Sequence, residues 1–96
     1  MIVSFGDEAT KDLYHGKNSA RARRFPADVV RAAHRKLTML ESAKELKDLR
    51  IPPGNRLEEL RGALRDFSSI RVNDQWRLIF RWEEDGAHEV RLVDYH

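Results

Sequence analysis

No cysteine occurs among the 96 residues. Disulfides, thiolate-held zinc and thiol nucleophiles are therefore excluded, and a reducing compartment, the cytosol, is the natural location. Long apolar runs are missing too. The opening Met1-Ile2-Val3-Ser4-Phe5 is apolar but too short for a signal peptide or a membrane span, so no membrane association is expected. Neither internal repeats nor low-complexity segments are present. Charge of one sign is not in large excess, since 18 Lys and Arg face 16 Asp and Glu. With 41% hydrophobic and 35% charged residues, the chain can form one modest core beneath a heavily solvated surface. A single domain over residues 1–96 follows.

What charge there is lies unevenly. Arg21, Arg23, Arg24, Arg31, Arg35 and Lys36 stand against a single acid, Asp28, between residues 21 and 36. Such a face can recruit a polyanion, although a solvated helix surface would look the same.

Apolar spacing defines the elements. Residues 2–5 read as a short first strand. Asp7, Glu8 and Thr10 open a short helix that Gly16 would end. Pro26 suits the first position of a longer helix over residues 26–43, in which Val30, Ala33, Leu37 and Leu40 line one face. A helical stub over residues 43–49 precedes the turn at Ile51-Pro52-Pro53-Gly54. The period then changes to two. Ile70 and Val72, then Trp76 to Trp82, then Val90 and Leu92 describe three antiparallel strands, joined by turns at Asn73-Asp74 and Asp85-Gly86. Leu57 and Leu60 are a further strand or a lead into the sheet. The expected fold is α+β, with two N-terminal helices packed on a twisted antiparallel sheet of about four strands. Arg77 then falls on the face opposite Leu78 and Phe80, an open surface where an anion would bind.

Three stretches carry a resemblance: Pro52-Pro53-Gly54-Asn55-Arg56-Leu57-Glu58, Ser69-Ile70-Arg71-Val72-Asn73-Asp74-Gln75-Trp76-Arg77-Leu78, and the ending Val93-Asp94-Tyr95-His96. Together, and in this order along essentially the whole chain, they resemble HigB toxins, a branch of the RelE superfamily. The resemblance implies a ribosome-dependent endoribonuclease that cuts mRNA. It also implies a HigA-like helix-turn-helix antitoxin, through which operator DNA is reached indirectly. No cofactor is expected.

Metal-free RNA cleavage needs an acceptor for the ribose 2′-OH proton, a cation on the crowded phosphate and a donor to the leaving oxygen. Arg77 is the first candidate cation, because a guanidinium fork matches phosphate oxygens. Arg61 is the second. Relatives often carry lysine at its position, and arginine there acts as a phosphate binder rather than an acid; a surface charge paired with Glu58 or Asp66 is the alternative. His96 can exchange protons near neutral pH. Asp94 can orient that imidazole or take the proton itself, and Tyr95 can stack on a base. Some relatives place a histidine before Gly62; here Glu58 and Glu59 stand there, so Glu58 becomes the candidate proton acceptor. Arg71, Arg24, Arg31, Arg35 and Lys36 are candidate RNA and ribosome contacts. His15 and His34 read as surface residues, and a metal site of His88, Asp94 and His96 has no ligand spacing to recommend it. The competing function is a weakly or non-catalytic RNA- and antitoxin-binding module, acting chiefly as co-repressor with its antitoxin.

Overall fold

The computed structural model describes residues 1–95. Two α-helices precede a four-stranded antiparallel sheet whose order follows the chain: α1 (Glu8–Tyr14), α2 (Ala27–Ser42), β1 (Glu58–Glu59), β2 (Ser68–Arg71), β3 (Trp76–Glu83) and β4 (Gly86–Asp94). Short 3-10 turns fill the connections at Ala22–Arg24, Leu46–Arg50, Pro53–Asn55 and Gly62–Leu64.

Helix α1 starts where Asp7 accepts a hydrogen bond from the Thr10 amide at 2.8 Å, satisfying one of the orphan donors of a first turn. Helix α2 begins one residue later than expected. Pro26 has extended backbone and caps the helix from outside. Its buried stripe is Val29, Ala33, Leu37 and Leu40, with Val30 at the margin. The stripe packs on Ile70, Leu78, Phe80, Val90 and Leu92, which the two-residue period of β2, β3 and β4 sends to one face of the sheet. The stub expected over residues 43–49 is instead the tighter turn Leu46–Arg50. It is held by Asp48 Oδ2, which accepts from the amides of Lys44 and Glu45, both at 3.0 Å.

Residues 2–5 do not form a strand of the sheet. They make two isolated parallel bridges to β4, at Ala87 and Val90. Val3 and Gly6 donate to the Ala87 and Val90 carbonyls, and the Ala87 and Val90 amides return the bonds to Met1 and Ser4. Farther along, the Leu92 amide donates to Thr10 Oγ1 of α1 at 3.0 Å. An unprotected outer edge of β4 would template pairing with another chain, and the N-terminal segment covers it. The approach is tight: a Cβ on Gly86, whose φ is +129°, would lie 2.2 Å from the Met1 carbonyl oxygen. Gly86 consequently opens β4, paired with Glu83, and the hairpin turns on Glu84 and Asp85 rather than on Asp85-Gly86.

The connection between the helices is organised by a buried carboxylate. Asp12 accepts from Ser19 Oγ and Arg21 Nε, each at 2.7 Å. The Ser19 bond, followed by the Arg21 bond and charge, outweighs burial and holds its pKa below the ordinary 3.8. A carboxylate with a lowered folded pKa stabilises above the unfolded value, and that contribution disappears as pH falls through the folded one. In urea denaturation, Asp12→Asn is therefore expected to be less stable than the parent at pH 7. The gap should close as pH falls below the ordinary 3.8; a gap that stays constant to pH ~2 would contradict the assignment.

Candidate functional site

Strand alternation places Ser69, Arg71, Arg77, Ile79, Arg91, Val93 and Tyr95 on the face turned away from the helices. Arg71 pairs with Arg77, Arg77 with Val93, and Ile79 with Ser69 and Arg91. The expected side of the sheet is right for Arg77, but its exposure is not. This face is partly covered by the segment after the Pro-Pro-Gly turn, and Arg77 is only 7% exposed. Ile79, on the same face, is buried, and it shares a hollow with Leu60, Leu64 and Val93.

The Arg77 guanidinium is locked. Its Nε donates to Ser69 Oγ at 2.9 Å. Its Nη2 donates to the Arg56 carbonyl at 2.7 Å and reaches the Ser69 carbonyl at 3.5 Å. The Tyr95 ring lies against it, 5.3 Å from Cζ to the ring centroid. Among the described residues that leaves Nη1, which is ion-paired with Glu58 Oε1 at 3.8 Å. A phosphate can be met by one nitrogen of this arginine, not by its full fork.

Glu58 and Tyr95 are thus brought to Arg77, one from β1 and the other from the end of β4. Tyr95 is half-exposed, and its amide donates to the Gln75 carbonyl at 2.7 Å, which fixes the tail just past the last strand pair. Asp94 does not border the Arg77 hollow, although it borders the neighbouring one with Tyr95. It pairs with Trp76 and accepts from Gln75 Nε2 at 2.9 Å. Arg61 is also separate. It borders a different hollow, with Leu60, Arg91, Asp94 and Tyr95, which shares only Tyr95 with the residues around the Arg77 hollow. His96 lies outside the described residues.

Among the other expected cations, Arg71 borders the Arg77 hollow and is ion-paired with Asp74. Lys36 is half-buried and donates to Asn55 Oδ1. Burial first, then the positive charges of Arg35 and Arg71, hold its ammonium pKa below the usual range. Lys36, Arg35 and Arg71 therefore share one positive region beside the site. Arg24 and Arg31 do not belong to it: Arg24 borders a hollow with Phe25 and Trp76, and Arg31 a groove with Leu13 and Val30.

His15 and His34 are exposed, as expected, and both rings pack on Tyr14. His88 bonds Asp85 at 2.6 Å near the start of β4. Asp94 is six residues farther along that strand, roughly 20 Å away, so these two cannot share a metal ion. Among the described residues, no three His, Cys, Asp or Glu side chains converge as a metal site.

Sequence reasoning passed over three residues that build the site. Ser69 was visible only as part of a motif. Asn55 and Arg56 sat inside the quoted Pro-Pro-Gly stretch, and a non-glycine run straight after such a turn was the available signal. Asn55 is fully buried. Its Nδ2 donates to the Leu49 carbonyl at 3.1 Å and reaches the Ile51 carbonyl at 3.5 Å.

A model of the HigB-like toxin family, described as the RelE-like toxin of type II toxin-antitoxin system HigB, matches residues 3–96. The chain belongs to the HigB-like toxin family. Toxin HigB-1 of Vibrio cholerae is 45% identical over 96 residues, spanning 100% of this chain and 98% of that protein. An uncharacterized protein of Haemophilus influenzae is 36% identical over 69 residues, 72% of this chain and 68% of the relative. Among solved structures, the YoeB-YefM complex from Staphylococcus aureus contains a chain that superposes with a TM-score of 0.62 at 14% identity. The superposition covers 100% of this chain and 98% of that one, and it shows a shared fold.

For this HigB-like toxin, Ser69 is the test of the locked guanidinium. Ser69→Ala removes the acceptor of a buried N–H and should cost about 1–3 kcal/mol in urea denaturation. A Ser69→Ala protein as stable as the parent would mean that the Nε bond contributes nothing.

Proposed function

We propose that this toxin is a ribosome-dependent mRNA endoribonuclease that arrests translation and growth. It would act in the cytoplasm and be neutralised by a HigA-like helix-turn-helix antitoxin, which also links it to operator DNA. The observation that carries the reading is the approach of Glu58 to Nη1, the one guanidinium nitrogen of Arg77 without a hydrogen bond among the described residues. A carboxylate that can accept a proton and a cation that can hold a phosphate meet within 3.8 Å, under an aromatic ring.

The chemistry these groups support is attack within one strand. Glu58 takes the proton of a ribose 2′-OH, and the freed oxygen attacks the adjacent phosphorus. Arg77 Nη1 meets the charge that builds on the non-bridging oxygens. The bond to the 5′-oxygen breaks, and that oxygen takes a proton from the C-terminal His96, leaving a 2′,3′-cyclic phosphate. Tyr95 stacks on a neighbouring base and keeps the phosphate beside Arg77. Lys36, Arg35 and Arg71 extend the positive region along which RNA would lie. Arg24, Arg31 and Arg61 serve as outlying contacts to RNA or ribosome, and Asp94 braces the tail through Gln75.

A second reading takes its support from the other donors of Arg77. Because Nε and Nη2 are spent on Ser69 and Arg56, a protein that cleaves poorly and acts chiefly as co-repressor with its antitoxin is the rival.

Induction in a bacterial host, followed by primer extension on translated and untranslated copies of one message, separates them. The parent should arrest growth and produce cuts in the translated copy alone. Arg77→Ala should lower cleavage by roughly 10²–10³-fold, and deletion of His96 should also relieve the arrest. Cuts in the untranslated copy would contradict ribosome dependence. Arrest that persists in both variants would remove the catalytic assignment.

A further inference from the structure

Three arginines border the hollow of about 280 Å³ in front of Glu58, and their commitments differ. Arg71 is ion-paired with Asp74. Arg77 is held by Ser69 and the Arg56 carbonyl, and its remaining nitrogen faces Glu58. Arg56 is exposed, and among the described residues its guanidinium has no ion pair or hydrogen-bond partner. It is the uncommitted cation of the hollow.

The backbone at Arg56 is unusual. Its φ of 46° and ψ of 57° lie in the left-handed region, where a Cβ crowds the following carbonyl and where glycine or asparagine is the ordinary choice. Asparagine is present but one position earlier, buried and tied to Leu49, Ile51 and Lys36. The Arg56 backbone is thereby fixed from one side by Asn55 and from the other by the Arg77 bond to its carbonyl. An arginine at a strained position that packing does not require points to a use for the side chain itself.

We infer that Arg56 is a phosphate-binding residue of the active centre, the second cation for which sequence had offered Arg61. The proposal rests on the endoribonuclease reading and names a further contact in that site. Its carbonyl positions Arg77, and its guanidinium supplies the bidentate fork that Arg77, with Nε and Nη2 already hydrogen-bonded, cannot. The ligand is one phosphodiester of single-stranded RNA, held between Arg56 and Arg77 Nη1 with Glu58 at its edge. Arg61 borders a different hollow, joined to this one by Tyr95, and would meet a neighbouring part of the strand.

The test uses full-length protein and mRNA-programmed ribosomes, with single-turnover cleavage as the first readout. The second readout is the salt dependence of binding to a short single-stranded RNA. Arg56→Gly removes the guanidinium, keeps the carbonyl that positions Arg77 and suits the left-handed backbone, so its Tm should hold or rise. Cleavage should fall by roughly 10²-fold, and the slope of log affinity against log salt should shrink by about one phosphate contact. Arg56→Lys should recover part of the loss, since it restores charge without the fork. Arg77→Ala serves as the reference. Cleavage by Arg56→Gly at the parent rate, while Arg77→Ala is impaired, would overturn the role of Arg56 alone. Unimpaired cleavage by both variants, or no ribosome-dependent cleavage by the parent, would overturn the endoribonuclease reading beneath it.

Discussion

Burying an arginine is unfavourable unless its N–H groups find partners and its charge is compensated. Arg77 meets that requirement with Ser69 on the neighbouring strand, the Arg56 carbonyl above it and Glu58 beside it. Each partner belongs to a different part of the chain, so the bond set holds together more than one side chain. The Arg56 carbonyl is available only because the Pro53–Asn55 turn sits where it does. That turn is anchored by Asn55 to Lys36 of α2 and to the Leu46–Arg50 turn. A line of polar contacts thus runs from Lys36 through Asn55 and Arg56 to Arg77, joining helix α2 to the far face of the sheet.

The opposite side of the molecule has a different constraint. Strand β4 is the last of the sheet and would expose its outer edge. The chain closes that edge with its own beginning, through bridges at Ala87 and Val90 and the Thr10 bond to Leu92. Gly86 and Gly6 make the approach feasible, since a Cβ at either would collide with Met1 or with Arg91 and Glu89. With that edge tied down, the end of β4 can carry Tyr95 to Arg77 from a fixed starting point. Edge protection at one end of the strand and presentation of the site at the other are parts of one device.

Much of this was legible in the sequence, and the reasons are physical. The helix stripe Ala33, Leu37, Leu40 and the alternation from Trp76 to Trp82 are periodic signals, which survive without knowledge of neighbours. The side on which Arg77 lies follows from the same alternation. Its burial does not, because it depends on where residues 56–67 fold, and that segment has neither period. The first strand failed for a related reason: residues 2–5 look like a strand locally, while their partner lies more than eighty residues away and bonds them at only two bridges. Asp94 and Tyr95 belong to one ending motif; both border the Arg61 hollow, and only Tyr95 reaches the Arg77 hollow. Arg61 and Arg56 are both cations near the Pro-Pro-Gly turn, and only the backbone path of that turn separates their hollows.

Arg77 is a locked guanidinium in which, among the described residues, Nη1 alone has no hydrogen bond and is left to meet a ligand. Side-chain ¹⁵N–¹H NMR of the protein measures this directly. The Arg77 Nε–H should exchange with water far more slowly than that of exposed Arg35, and a short RNA with a non-reacting 2′-deoxy linkage should move the Nη1 signal while leaving Nε in place. An Arg77 Nε–H that exchanges as fast as Arg35, or that shifts together with Nη1 on addition of the RNA, would contradict the account.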